Sequence, residues 1–159
     1  MNEAFLLLGS NMGNRQAMLQ AAREAIYEKA GTQVLESALY ETSAWGNEDQ
    51  QDFINQVIVI QTPLLPHMLL HCLLAIEEKL GRHRVIKNEP RTIDIDILFY
   101  NDTLVNDKDL HIPHPLLHLR RFVLVPLIEI APLKVHPLLR HTVASLLTDC
   151  PDKGEVKKM

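Results

Sequence analysis

Asp94 and Asp96 stand two residues apart in EPRTIDIDILFYND (Glu89 to Asp102), among Ile, Leu, Phe and Tyr residues that read as a β-strand. Strand side chains alternate between faces, so Ile93, Ile95, Ile97 and Phe99 should line one side and Thr92, Asp94, Asp96 and Leu98 the other. That places the two acidic Cα atoms about 7 Å apart. Carboxylates so arranged repel each other and resist desolvation, and a divalent cation would compensate both. The alternative is that both acids face solvent on a half-exposed strand. Arg82, Arg84, Lys87 and Arg91, with His83 among them, lie just before the pair. Carboxylates that hold a hard cation, next to guanidiniums that fork onto phosphate oxygens, are the parts of a metal–polyphosphate site.

Other residues carry weaker signals. Gly9-Ser10-Asn11 is a turn between a strand and a helix start, which can cradle an anion or be a plain connection. It has neither the Gly-Lys-Ser/Thr of a P-loop nor the GxGxxG fingerprint. Asn55 is the polar residue in FINQVIVI, either at an edge or as a buried amide able to read a heterocycle edge. His114 and His118, like His67 and His71, are four apart; zinc or ordinary surface histidines fit either pair. Arg120 and Arg121 suit a solvated turn or a second phosphate clamp, and Phe122 a core position. Glu77 reads as a solvated helix residue.

The elements that must position these residues follow from periodicity. EAFLLLGSN reads as a buried strand, and Arg15 to Ala30 as a helix capped by Asn11 or Asn14 and stopped by Gly31. TQVLESALYET (32–42) reads as one strand, Ser43 to Asp52 as a polar loop around Trp45, and FINQVIVIQT as a strand. A helix starts near Pro66 and stops at Gly81, and the basic loop from Arg82 to Pro90 leads into the aspartate strand. The order β-α-β-β-α-β predicts an α+β fold of the ferredoxin-like kind, an antiparallel sheet with helices packed on it. An irregular C-terminal extension follows, with a closing helix at HTVASLLTD and a frayed tail at PDKGEVKKM.

Composition sets the outer limits. The chain has 159 residues, enough for one domain spanning 1–159, and is 47% hydrophobic and 23% charged, as soluble globular chains are. Its net charge of −4 means that phosphate binding must rest on a local basic cluster. Cys72 and Cys150 form no disulfide framework, no apolar run is long enough to span a membrane, and the start lacks a signal-peptide n-region. A cytoplasmic protein is expected.

Taken together, GSN at the first strand end, FIN, IE..LGRHR, PRTIDIDIL and IPHP....RRF resemble, in order and spacing from about Phe5 to Pro132, the 6-hydroxymethyl-7,8-dihydropterin pyrophosphokinases of the folate pathway. The resemblance implies a ferredoxin-like fold, ATP as co-substrate, two Mg²⁺ ions and a pterin acceptor; a monomer that binds neither nucleic acid nor membrane is expected. It implies that Asp94 and Asp96 hold metal. Arg82, Arg84 and Arg91 would belong to a basic catalytic loop, with Arg82 and Arg91 contacting phosphate during transfer. His114 and Arg120 would contact the triphosphate, with Glu77 and Ile97 lining the nucleotide pocket. Asn55 would read the pterin edge between Phe53 and Phe122, and Gly9, Thr42 and the backbone near Trp45 would complete that pocket. Asn88, Glu89 and Phe53 stand where some family members carry Trp, Gly or Ala, and Tyr. Either Asp96 or a metal-lowered hydroxyl pKa would serve the proton transfer.

Two rival classes fit less well. Nucleotidyltransferases also join a GS turn to a DxD strand, but close together, whereas Ser10 and Asp94 are far apart in this chain. An RNA-binding module of the same fold would show sheet-face aromatics, and this chain is acidic and only 5% aromatic.

Overall fold

The runs of β-branched and leucine residues form long strands because each is buried on both faces. In the computed structural model, which describes residues 1–43, 51–81 and 93–159, β1 spans Asn2–Ser10 and β4 spans Phe53–Thr62. They pair antiparallel from Asn2 opposite Thr62 to Ser10 opposite Ile54, and β5 (Asp94–Tyr100) pairs antiparallel with the other edge of β1. Helix α1 (Arg15–Lys29) is capped by Asn14, whose side chain accepts from Ala17 N at 3.0 Å. Helix α2 (Pro66–Lys79) has Pro66 in its first turn and ends at Gly81, whose φ of +97° suits glycine.

The stretch expected as one strand over 32–42 is two, β2 (Thr32–Glu36) and β3 (Tyr40–Thr42), sharing one edge of β4. Ser37 makes the break. Its hydroxyl accepts from Val57 N at 3.0 Å, and the Gln56 side chain donates to the Ser37 carbonyl at 2.7 Å. Side chains thus replace ladder bonds, and the chain shifts register before β3 begins.

The final third is more regular than its prolines suggest. After a short ribbon of β6 (Val105–Asn106) and β7 (His111–Ile112) and a 3₁₀ turn at Leu117–Leu119 comes α3 (Arg121–Ile130), a helix with Pro126 inside it. Pro126 removes one helical hydrogen bond, which disguises the segment, yet Val123, Leu124 and Leu127 are buried on the sheet. Helix α4 (Val143–Thr148) lies where a closing helix was expected, and α3 packs against it. The tail does not fray: β8 (Lys157–Lys158) pairs with β3, and Met159 N donates to Leu39 O at 2.9 Å.

Helices therefore cover both faces of the sheet. On one, Leu6, Leu8, Ile58, Ile93, Ile95 and Ile97 pack with Leu19 and Ile26 of α1 and Leu69 and Leu73 of α2. On the other, Phe5, Leu7, Val57 and Val59 pack with α3 and α4. Phe99 joins this second core, not the face of Ile93, Ile95 and Ile97 that simple alternation predicts. The reason is a bulge: Leu6 opposes Ile97 while Phe5 opposes Phe99, leaving Leu98 as the extra residue, and both Leu98 and Phe99 fall on the second face.

Candidate active site

Strand register brings the distant motifs into one row. Gly9 lies opposite Asp94 on one side and opposite Asn55 on the other, and Asn55 lies opposite Tyr40. Two strand spacings separate Asp94 from Asn55, roughly 10 Å. The residue between them is the one without a side chain. In the next row, Leu7 lies between Asp96 and Val57. A groove thus runs over Gly9 from an acidic wall to an amide wall.

A cavity of about 1040 Å³ opens over this row. Among its lining residues are Gly9, Thr42, Phe53, Asn55, Asp94, Asp96, Arg120 and Phe122, drawn from five separate stretches of sequence. Asn55 is buried on a central strand, which removes the edge-position alternative, and its Nδ2 donates to Thr42 Oγ1 at 3.3 Å. Gly9 serves by closeness: a Cβ there would sit 2.7 Å from Asn55 Oδ1. The Arg120 guanidinium lies 5.7 Å from the centre of the Phe122 ring, a cation–π arrangement at the cavity wall.

Three expected site residues stand off this cavity. Glu77 is buried, and its Oε2 accepts from Ile95 N at 2.7 Å. It thereby ties α2 to the strand residue between the two aspartates. Ile97 is buried in the core under α1 and α2. His114 has its Nδ1 accepting from Leu116 N at 3.2 Å, which places the neutral ring's proton on Nε2. Burial, then the nearby charges of Arg120 and His111, push its pKa down to about 4, so it is a neutral donor at physiological pH. Trp45, Arg82, Arg84 and Arg91 lie outside the described residues, as do Asn88 and Glu89.

Sequence reasoning missed one wall. Pro151 to Val156 line the cavity, bringing Asp152, Lys153 and Glu155 to it. The signal was present: Pro-Asp-Lys-Gly is a turn sequence, followed by a strand-compatible Val-Lys-Lys. The unassigned histidines sit elsewhere. His67 Nε2 lies 2.6 Å from Asp107 Oδ2, and His118 packs against the buried ring of His136.

The donor set suits a hard divalent cation that also binds phosphate. Asp94 and Asp96 are half-buried on one wall, and among the described residues no group of three or more His, Cys, Asp or Glu side chains is placed to hold a metal. Two carboxylates leave most of an octahedral shell to substrate oxygens and water, which is how Mg²⁺ is held on phosphate substrates. Arg120 and Lys153 add positive charge to the same cavity.

Known proteins resemble the chain in sequence and in fold. The chain is 47% identical over 133 residues to the 2-amino-4-hydroxy-6-hydroxymethyldihydropteridine pyrophosphokinase of Methylorubrum extorquens, covering 83% of this chain and 84% of that protein. The identity to the Aquifex aeolicus protein of the same name is 41% over 140 residues, covering 88% and 87%. Among solved structures, a Plasmodium falciparum HPPK-DHPS bound to pteroate superposes with a TM-score of 0.77 at 20% identity, which speaks for the fold. That match takes in 93% of this chain and 42% of the Plasmodium chain. The profile of the 7,8-dihydro-6-hydroxymethylpterin-pyrophosphokinase family matches residues 5–132, and the chain belongs to that family.

Proposed function

We propose that this protein transfers the β- and γ-phosphates of ATP as one unit to the hydroxymethyl oxygen of 6-hydroxymethyl-7,8-dihydropterin, in folate biosynthesis, and that it needs Mg²⁺ to do so. The observation that carries the reading is the row Asp94–Gly9–Asn55. An acidic wall for a metal–phosphate group and an amide wall for a heterocycle face each other across a side-chain-free gap.

In this reading Asn55 pairs with the amide edge of the pterin, while Phe53 and Phe122 close on its two faces and Thr42 holds the Asn55 amide. Gly9 lets the acceptor reach towards the aspartates. Arg120 grips phosphate oxygens, and neutral His114, set back from the cavity lining, would offer its Nε2–H to the triphosphate. Asp94 and Asp96 hold the metal, two ions in our proposal, with Glu77 fixing their strand from behind. When bound, Mg²⁺ would neutralise charge on the phosphates and lower the pKa of the attacking hydroxyl. The hydroxyl oxygen attacks the β-phosphorus, the bond to the α-phosphate oxygen breaks, and AMP leaves. The hydroxyl proton passes to Asp96 or directly to solvent. Arg82 and Arg91 would contact phosphate during transfer, and Arg84 of the same loop would bind ATP. Most of the rate enhancement is positioning and electrostatics. We further propose that residues 1–159 act as one domain in a monomeric, cytoplasmic enzyme that binds neither nucleic acid nor membrane.

Phosphorus NMR of the protein with ATP, Mg²⁺ and the pterin, repeated without pterin, tests the reading. Pterin-dependent AMP with a new diphosphate ester supports it, while ADP would indicate a simple kinase. Asp96→Ala should abolish most turnover and leave pterin binding in place; unchanged kcat would remove the metal role.

A further inference from the structure

Helix α3 has no side-chain cap of its own: Arg120 is its N-cap residue and makes no capping bond. The first free amide, Arg121 N, instead donates at 3.0 Å to Asp152 Oδ2, which arrives from 31 residues further along the chain. The other oxygen of that carboxylate, Oδ1, accepts from Gly154 N at 2.9 Å, folding Asp152 to Gly154 into a tight turn. A carboxylate here both satisfies an orphan amide and complements the positive end of the helix dipole. Beyond the turn, Lys157 and Lys158 pair with Glu41 and Tyr40 of β3, and continuing that register brings Val156 beside Thr42. The segment from Pro151 to Val156 is therefore a strap. It is anchored at one end on the phosphate-facing side of the cavity and at the other on the strand that carries Thr42.

We propose that Asp152 is a positioning residue of the active site: by bonding Arg121 N it fixes the start of α3, and so aims Arg120 and Phe122 into the cavity. Both residues flank the bonded amide, and both line the cavity, as does Asp152 itself. The peptide carrying Arg121 N also carries the Arg120 carbonyl, which accepts from Val123 N and Leu124 N inside the helix. Releasing Asp152 therefore loosens the backbone from which the Arg120 side chain springs. Without the clamp this guanidinium samples more positions, and its share of phosphate binding falls. The effect runs through Arg120, so it disappears when Arg120 is absent.

The inference rests on the proposed function for the role of Arg120, and a binding cycle separates the two. The dissociation constant of ATP with Mg²⁺, without pterin, is measured calorimetrically for wild type, Asp152→Ala, Arg120→Ala and the double variant. Asp152→Ala should weaken binding about tenfold alone, but less than twofold in the Arg120→Ala background. Asp152→Asn, which keeps one acceptor oxygen, should lose about threefold with the same dependence on Arg120, and it decides the matter if the alanine variant does not fold. A loss of equal size in both backgrounds, or wild-type affinity in folded Asp152→Ala, overturns the proposal. A wild type that shows the coupling yet forms no AMP would refute the pyrophosphokinase reading and leave the positioning role standing.

Discussion

Gly9→Ala gives the sharpest test of the site's layout. Gly9 has no unusual φ; what matters is the space beside it. A methyl group at this position would lie 2.7 Å from Asn55 Oδ1, well inside contact distance, while its next backbone neighbour, Ile54 O, is at a comfortable 3.9 Å. The strand therefore stays and the Asn55 amide withdraws, straining its bond to Thr42 Oγ1. A displaced amide forfeits one or two hydrogen bonds to the pterin, each worth about 0.5–1.5 kcal/mol. The expected penalty of about 0.5–3 kcal/mol corresponds to a pterin dissociation constant raised roughly 2- to 150-fold. Titration followed by the pterin's own fluorescence reads this directly, with ATP affinity as the control that should stay put. Asn55→Ala removes the atom that the new methyl strikes, so adding Gly9→Ala to it should cost nothing further. Unaltered pterin affinity in Gly9→Ala, or an undiminished loss in the Asn55→Ala background, would refute the reasoning.

Glu77→Ala should destabilise the fold by about 1–3 kcal/mol in urea melts by leaving Ile95 N buried and unpaired; Glu77→Gln keeps an acceptor and should recover most of it. Gly31→Ala puts a methyl 2.3 Å from Gln61 O, a backbone atom that cannot swing aside. It should cost about 2 kcal/mol, seen as a fall in Tm of roughly 4–8 °C. His114 and His136 bear on acid stability: burial first, then neighbouring positive groups, hold both near a pKa of about 4, below the ordinary 6.5. The unfolded chain therefore takes up protons first, so stability is full above pH 6.5 and falls as pH drops from there towards 4. His136→Asn keeps an acceptor for Leu138 N and Leu139 N and should remove a slope of up to about 1.4 kcal/mol per pH unit from that window. An unchanged slope would mean that His136 does not titrate with unfolding.

The parts of the fold that the sequence made legible are those where burial and period agree. β1, β4, α1 and α2 bury continuous or helically spaced apolar residues, so pattern alone locates them. The aspartates, Asn55 and Gly9 stood out because each breaks such a pattern. What stayed hidden depends on tertiary partners. Ser37 ends a strand through bonds to Gln56 and Val57, 19 and 20 residues away in sequence. Pro126 sits in a helix that survives because its apolar face is held on the sheet. Glu77 looked solvated because its partner is a backbone amide on another element, which composition does not reveal. The tail looked frayed for the same reason: its order comes from Arg121, Leu39 and β3, none of them local.

Why two aspartates sit in a buried strand has a wider answer in the second face of the sheet. Along β1 that face reads Gly9, then Leu7 and Phe5; along β4 it reads Phe53 and Asn55, then Val57 and Val59; along β5 it reads Asp94 and Asp96, then Leu98 and Phe99. The change of character crosses the strands obliquely: β1 and β4 turn apolar at the Leu7–Val57 row, and β5 one row later, beyond Asp96. On one side of this boundary α3 and α4 cover the apolar residues and form a core. On the other, the start of α3 and the Pro151–Val156 strap rim a cavity instead of filling it. The β5 bulge belongs to this division, because it turns Phe99 onto the covered half, where Phe5 and His136 meet it edge-on. The acids are thus not exceptions within a core strand. They lie past the core's boundary, on a surface continuous with the core that the same strands build further along.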